Sequence, residues 1–416
     1  MNYSYSQLNY LKSLQNIYSA QLGLKEIIFV LGNSSCDMDS ALSAYLLSIG
    51  KNIKENTICI DKINNNISLN KNSNKIYLPV LNCKRGTLYT RLDIKYVFDL
   101  NKIDEKDFWY ISDDIFSPNK LFEFHKNNNI NTEIILVDHS KLTDDQKYLS
   151  EYVIEIYDHH SEKNFNFPNL TNMTLKYPVG SCSTLILLDY FYNNFPNYLI
   201  TPLLSVTAIL IDTKNFDMSL YNTRWINLDK NVFNKILPEN FIGEVDNYYK
   251  KVDGIKFDEE KNMELGVETL FLKDQKIYNW SGLKIIWCSL VANYFRIKEK
   301  FGLNEILSQI YSYYINLTNE EVRSQFFITN SNFNSQKLFT IFNPINIPID
   351  VNELKDNLAF TLKNGFVSIK EEKINDQSLR GVVYYIVLDK VYSRKNTEPV
   401  LRELFTSLIH ADELIP

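Results

Sequence analysis

Short apolar runs recur along the first half of the chain, and each stops on polar or charged side chains. Glu26-Ile27-Ile28-Phe29-Val30-Leu31, Glu133-Ile134-Ile135-Leu136-Val137 and Tyr152-Val153-Ile154-Glu155-Ile156-Tyr157 are short and rich in β-branched residues, as buried strands are. Between them the spacing turns helical. Ala41-Leu42-Ser43-Ala44-Tyr45-Leu46-Leu47 predicts a buried helix face, closed by Gly50. Strands alternating with helices from residue 26 to about 213 predict an α/β domain: a largely parallel sheet flanked by helices. Leu203 to Ile211 is one more long apolar stretch, finishing on Asp212. Asn52 to Lys75 is polar and asparagine-rich, and it reads as a loose surface excursion around one short strand.

Beyond Asp212 the pattern fades, and the charged stretch Asp246 to Glu260 reads as a linker. A second, smaller domain of α/β or α+β type opens near Gly254. It mixes strands (322–328 and 381–388) with helices (304–315 and 353–362). The 416 residues suit two domains with separate cores, and we place them at 1–245 and 250–416.

The residues that end the runs carry the chemistry. The chain has five histidines, and two stand together in Asp158-His159-His160, directly after the third run. The second run ends on Asp138-His139, and the first is followed by Gly32-Asn33-Ser34-Ser35-Cys36-Asp37-Met38-Asp39-Ser40. Asp37 and Asp39, two apart in a strand-to-helix turn, repel unless a cation neutralises them. The plainer alternative is an acidic helix N-terminus, which the helix dipole favours. Four apolar elements thus each deliver an acid or an imidazole at their C-terminal end, where open α/β sheets bind ligands. Carboxylate oxygens with an imidazole suit Mg²⁺, Mn²⁺ or Co²⁺, and the absence of thiolate pairs argues against structural zinc.

Composition narrows the field. Apolar content of 45% with 23% charge is ordinary for a soluble globular protein, and no run approaches the ~20 apolar residues of a membrane span. The N-terminus lacks the basic region and apolar core of a secretion signal. Cys36, Cys59, Cys83, Cys182 and Cys288 show no paired spacing, so reduced thiols and a cytoplasmic location are expected. The net charge of −6 gives no general attraction for a polyanion, so any phosphate-binding surface must be a local basic patch. Aromatic residues sit at core spacing without basic interleaving. Neither nucleic acid nor a membrane is expected as a partner, and the protein is expected to be a monomer.

In order along the chain, Gly-Asn-x-x-x-Asp-x-Asp-Ser, Leu-Val-Asp-His, Asp-His-His and Leu-Ile-Asp-Thr resemble the four motifs of the DHH phosphoesterase superfamily. Gly180-Ser181-Cys182-Ser183-Thr184 resembles the glycine-serine loop that follows Asp-His-His there. Asp274-Gln275-Lys276 and Ser393-Arg394-Lys395-Asn396-Thr397-Glu398-Pro399 resemble C-terminal signatures of its second subfamily, which holds family II pyrophosphatases, fungal exopolyphosphatases and prune proteins. The resemblance implies a DHH catalytic domain, a C-terminal phosphate-binding domain and an active site in the cleft between them. It implies two divalent cations: Asp37 and Asp138 would hold the first, with Asn33 beside it, and Asp39, Asp138, His159 and Asp212 the second. His160 would contact the scissile phosphate and protonate the leaving oxygen, with Asp138 and Asp158 as its catalytic companions. Ser181, Lys276, Arg394 and Lys395 would bind the rest of the phosphate chain. Asn33 stands where the pyrophosphatases have His, as in the exopolyphosphatases and prune. The implied activity is therefore release of terminal phosphate from linear polyphosphate. The alternatives are a pyrophosphatase, a prune-like nucleotide phosphodiesterase, and a non-catalytic scaffold that keeps the fold.

Overall fold

The computed structural model describes residues 10–20, 23–61, 66–161, 166–197, 199–237, 242–280, 283–309, 325–333, 336–343, 366–375, 380–388 and 397–403. The chain forms two compact units, Met1–Ile255 and Lys256–Pro416.

The strands of the first unit are β1 (Glu26–Leu31), β2 (Ile58–Asp61), β3 (Asn66–Leu69), β4 (Lys75–Leu81), β5 (Trp109–Tyr110), β6 (Asn131–Val137), β7 (Val153–Asp158) and β8 (Asn172–Leu175). Six of them form one sheet in the order β5-β4-β1-β6-β7-β8, and every neighbouring pair is parallel. That is the largely parallel sheet the alternating pattern predicts. A parallel sheet is covered on both faces, which is why β1 and β4 read as nearly unbroken apolar runs. From β1 at the centre the chain moves out to β4 and β5, then returns to β6, β7 and β8 on the other side. The reversal opens a crevice at the carboxyl ends of β1 and β6, the place where such sheets take their ligands.

The helices of this unit are α1 (Tyr10–Ala20), α2 (Met38–Lys54), α3 (Leu92–Leu100), α4 (Lys120–Asn128), α5 (Cys182–Ile186), α6 (Pro202–Asp212), α7 (Asn227–Ile236) and α8 (Ile242–Lys256). Three local expectations need correction. Gly50 does not close α2, which continues to Lys54. The residue is a packing glycine, since a Cβ there would stand 2.7 to 2.9 Å from the Cβ, Cγ and Cδ1 of Tyr190. The asparagine-rich excursion holds two strands, β2 and β3, paired antiparallel with Ile58 and Ile67 buried. Most of the charged stretch taken for a linker is helical, because Val245 and Val252, seven residues apart, bring one face of α8 into the core.

The second unit has the helices α9 (Glu259–Glu264), α10 (Val267–Leu272) and α11 (Tyr294–Phe301). Its strands are β9 (Gln275–Trp280), β10 (Leu283–Ser289), β11 (Gln325–Phe333), β12 (Gln336–Asn343), β13 (Phe366–Asn375) and β14 (Arg380–Leu388). They form a mixed sheet, β13-β14-β12-β11-β10-β9, in which only β10 and β11 run parallel. The expected strands at 322–328 and 381–388 correspond to β11 and β14. The helix expected at 353–362 lies outside the described residues, and of the one at 304–315 only the part up to residue 309 is described.

Candidate active site

Three strand ends in the first unit build the site. After β1, Gly32 lets the chain pass close to α2, where any side chain would collide with the hydroxyl and carbonyl of Ser40. Asp37 caps α2. Its Oδ1 accepts from the Ser40 backbone N–H at 3.1 Å, and its Oδ2 accepts from the Ser35 hydroxyl at 3.1 Å. The expectation of an acidic helix start therefore holds for Asp37 in its literal form.

Asp39, in the first turn of α2, points the other way. It is 3% exposed, and its Oδ1 accepts from the hydroxyls of Ser43, Ser181 and Ser183 and from the Ser183 backbone N–H, at 2.7 to 3.1 Å. Its Oδ2 accepts from the Cys182 N–H at 2.7 Å and stands 3.6 Å from His159 Nε2. The glycine-serine loop thus binds Asp39. Ser181 is fully buried beneath that carboxylate, with its hydroxyl given to Asp39.

Asp138 follows β6 with φ 63°, in the left-handed region, and is 2% exposed. That conformation is unfavourable for a residue with a side chain, so the surroundings must hold it. They do so from two sides. The Asp138 N–H donates to Tyr157 O at 2.8 Å, and the Asn33 amide donates to Asp138 Oδ2 at 2.6 Å and to its carbonyl at 3.3 Å. The Asn33 oxygen is engaged elsewhere, accepting from the N–H groups of Ser35 and Cys36 at 2.9 and 3.2 Å. Backbone donors fix which end of the amide is oxygen. Asn33 therefore positions Asp138, the residue beside which a metal is expected.

After β7, His159 Nδ1 donates to Val179 O at 2.8 Å, which leaves Nε2 facing Asp138 Oδ1 at 3.2 Å and Asp39 Oδ2 at 3.6 Å. A ligand imidazole is oriented in this way, one nitrogen tied to a carbonyl and the other turned to the ion. His160 Nδ1 lies 2.7 Å from Asp158 Oδ1, which also accepts from the backbone N–H groups of both histidines. The two rings meet edge to face, 4.5 Å apart. Ligand atoms of Asp138, His159 and His160 all lie within 4.8 Å of one another.

The electrostatics of this cluster favour positive charge. Burial and the charge of Asp39 push the Asp138 carboxyl well above the carboxylate range. Burial works against a charged His159, but Asp138 and Asp39 outweigh it and raise the imidazole to about 10. Two buried carboxylates around one imidazole thus draw in positive charge, and the donor set of hard oxygens and imidazole fits a divalent cation. Asp158 differs. Burial would raise it, but the His160 imidazole and backbone donors hold it down at about 2, ionised and able to orient His160.

Asp37 and Asp212 lie outside that close group. Asp212, the last residue of α6, is half-buried with Arg224 Nη2 at 3.9 Å from its Oδ1. Lys276 is exposed on β9 in the second unit, opposite Trp287 of β10. Arg394 and Lys395 fall outside the described residues. Sequence patterns did not reveal Asp229. It is fully buried, accepts from the Gly180 N–H at 3.0 Å on both oxygens and from Thr184 Oγ1 at 2.6 Å, and so fixes the loop that holds Asp39. Its only local trace is an acid in the first turn of α7.

Residues 27–210, within the first unit, match the family model described as the DHH family, N-terminal domain. The chain's curated relatives include human exopolyphosphatase PRUNE1, 25% identical over 308 residues, which cover 72% of this chain and 59% of that protein. A Schizosaccharomyces pombe protein assigned as an exopolyphosphatase is 24% identical over 289 residues, 65% of each chain. The chain spans about three-fifths of the length of these relatives. Among solved structures, a Methanococcus jannaschii protein assigned as a family II inorganic pyrophosphatase shares the fold. Its TM-score is 0.55 at 17% identity, over 91% of this chain and 99% of that one.

Proposed function

We propose that this protein is a divalent-cation-dependent phosphoanhydride hydrolase that releases terminal phosphate from linear polyphosphate. The observation that carries this reading is the convergence of Asp39, Asp138 and His159, with His160 alongside on the carboxylate of Asp158. Asp37, Asp39, Asp138, His159 and Asp212 would hold two divalent ions, Mg²⁺ or Mn²⁺. Such ions, when bound, neutralise phosphate charge and lower the pKa of a coordinated water.

The remaining work falls to side chains. Asn33 and the Tyr157 carbonyl hold Asp138 in its strained conformation, so its carboxylate needs no reorganisation when substrate arrives. Ser43, Ser181 and Ser183 hold Asp39 from behind. Asp158 fixes the ring of His160 through Nδ1, which leaves Nε2 as the atom able to give a proton to the leaving phosphate oxygen. Lys276, Arg394 and Lys395 would supply donors for the rest of the chain; Arg394 offers a planar fork that matches phosphate oxygens. The names of the relatives favour polyphosphate over the pyrophosphatase and phosphodiesterase alternatives.

Phosphate release from long-chain polyphosphate, pyrophosphate and a cyclic nucleotide, measured in parallel with Mg²⁺, tests the reading. Polyphosphate should be cleaved fastest. Faster cleavage of pyrophosphate would transfer the protein to the pyrophosphatase class, and no release from any of the three would favour a scaffold.

A further inference from the structure

Soon after Asp212 the chain passes through three successive residues in the left-handed region, Lys214, Asn215 and Phe216, at φ 49°, 53° and 60°. Residues with a side chain lose about 1–2 kcal/mol each in that conformation, so the surroundings must impose the turn. The Asn215 N–H donates to Leu210 O at 2.7 Å, and its side-chain amide donates to Asp246 Oδ1 at 2.7 Å. Phe216 packs edge to face on Trp225, with ring centres 5.3 Å apart, and the Trp225 indole N–H donates to Asp217 O at 2.8 Å. Thr213 and Trp225 are buried, and both press on the glycine of the serine loop. A Cβ on Gly180 would stand 2.8 Å from Thr213 Cγ2 and 3.1 Å from Trp225 Cβ. Val179 and Ser181, on either side of that glycine, hold His159 and Asp39. The turn thus brings the chain back to the site, and the residue before Trp225 is Arg224.

Arg224 reaches Asp212 without bonding it. Its Nη2 stands 3.9 Å from Asp212 Oδ1, beyond hydrogen-bond range, and the side chain is 48% exposed. Among the described residues no other carboxylate pairs with this guanidinium. Arg85 shows what a committed pair looks like in the same protein: it bonds both oxygens of Asp113 at 2.7 Å. A loose, half-exposed pair adds little to stability, typically less than ~1 kcal/mol. What the contact fixes is position. It sets a planar fork of donors at the edge of the site, beside a carboxylate that the reading above gives to a divalent ion. Once an ion neutralises Asp212, the guanidinium loses its counter-charge, and an anion carried by the same ion comes within its reach.

We propose that Arg224 is a phosphate-binding residue of the first unit, gripping a substrate phosphate on the Asp212 side of the site. The assignment rests on the hydrolase reading above and deepens it, since none of the sequence motifs marks this residue. The fork contributes affinity and takes no part in breaking the phosphoanhydride bond. A purely local role, orienting Asp212 as a metal ligand, makes the opposite demand on the ion. A guanidinium that serves the substrate repels a divalent cation, so its removal leaves metal affinity equal or higher. Loss of an orienting partner would lower that affinity.

The full chain and its Arg224→Gln and Arg224→Lys variants should be compared by calorimetric binding of imidodiphosphate, whose P–N–P bridge resists cleavage, in saturating Mg²⁺. Phosphate release from tripolyphosphate supplies KM, and Mn²⁺ titration without any phosphate compound supplies the metal affinity. In Arg224→Gln the Kd for imidodiphosphate and the KM for tripolyphosphate should each rise about tenfold or more. Arg224→Lys should fall between, since the charge stays and the fork is lost. Mn²⁺ affinity should equal or exceed the parent's, and the melting temperature should not move. Unchanged Kd and KM in both variants would overturn the assignment and leave the hydrolase reading standing. Weaker Mn²⁺ binding by Arg224→Gln would overturn it too, in favour of a residue that only orients Asp212. If the parent chain releases no phosphate but binds imidodiphosphate, the hydrolase reading fails, and Arg224 is judged by Kd and metal affinity. If it binds neither compound, both fall.

Discussion

Asn33 shows how much one side chain can settle. Its oxygen caps two backbone N–H groups of its own loop while its nitrogen holds Asp138 in a left-handed conformation. Replacing it with Ala leaves buried polar groups without partners, at a cost of about 1–3 kcal/mol. Asn33→Ala should therefore lower both the melting temperature and the affinity for Mn²⁺; full metal affinity in that variant would show that Asp138 needs no such support. A second residue-scale expectation concerns Glu133, at the far end of the sheet. Burial and the adjoining Glu26 raise its carboxyl to about 7. An acid whose folded pKa is raised is not penalised below its unfolded value near 4.5, and it loses stability as pH rises from there through about 7. Glu133→Gln should thus flatten that decline and be the more stable protein at pH 8, by roughly 1 kcal/mol once solvent screening of a half-buried group is allowed for. Equal pH profiles for the two proteins would show that the pair is not strained. The acids and imidazoles of the site were legible because each ends an apolar run. The direction of the Asn33 amide was not, since it depends on the backbone angle at Asp138, which no local pattern encodes.

At the scale of elements, α2 carries two loads: its cap is Asp37 and its first turn holds Asp39, and its last turns pack on the segment around Tyr190. Opposing effects meet at Gly50. Alanine in a helix interior gains about 1 kcal/mol over glycine, whereas forcing a methyl against a packed ring costs about 1–3 kcal/mol. The clash involves the Cβ and Cγ of Tyr190, which cannot swing aside as a side-chain tip can, so packing should win. Gly50→Ala should unfold at lower temperature than the parent; a rise in melting temperature would mean that Tyr190 yields freely. The parallel sheet was readable from its alternating runs. The stop placed at Gly50 was not correct, because glycine signals a helix end only where no neighbour demands its lack of a side chain. Helix α8 was missed for a related reason: two valines seven residues apart anchor it, too sparse a pattern among charges to register.

At the scale of the molecule, the fold of the first unit brings distant parts of the chain to one point. Asp39 meets Ser181 and Ser183 across more than 140 positions, and Asn33 meets Asp138 across 105. The sequence could indicate that these residues serve one site, but the wrapping of Asp39 by the serine loop emerges only from the topology. No helix among the described residues is long and apolar enough to cross a membrane. The central claim is that Asp138, between Asn33 and His159, is the anchor of a divalent-cation site. Titration of the full chain with Mn²⁺, followed by the loss of the free-ion electron paramagnetic resonance signal, addresses it without any substrate. The parent protein should take up Mn²⁺ saturably, and Asp138→Ala should lose that uptake while keeping its folded far-ultraviolet circular dichroism spectrum. Undiminished Mn²⁺ binding by the folded Asp138→Ala protein would contradict the claim.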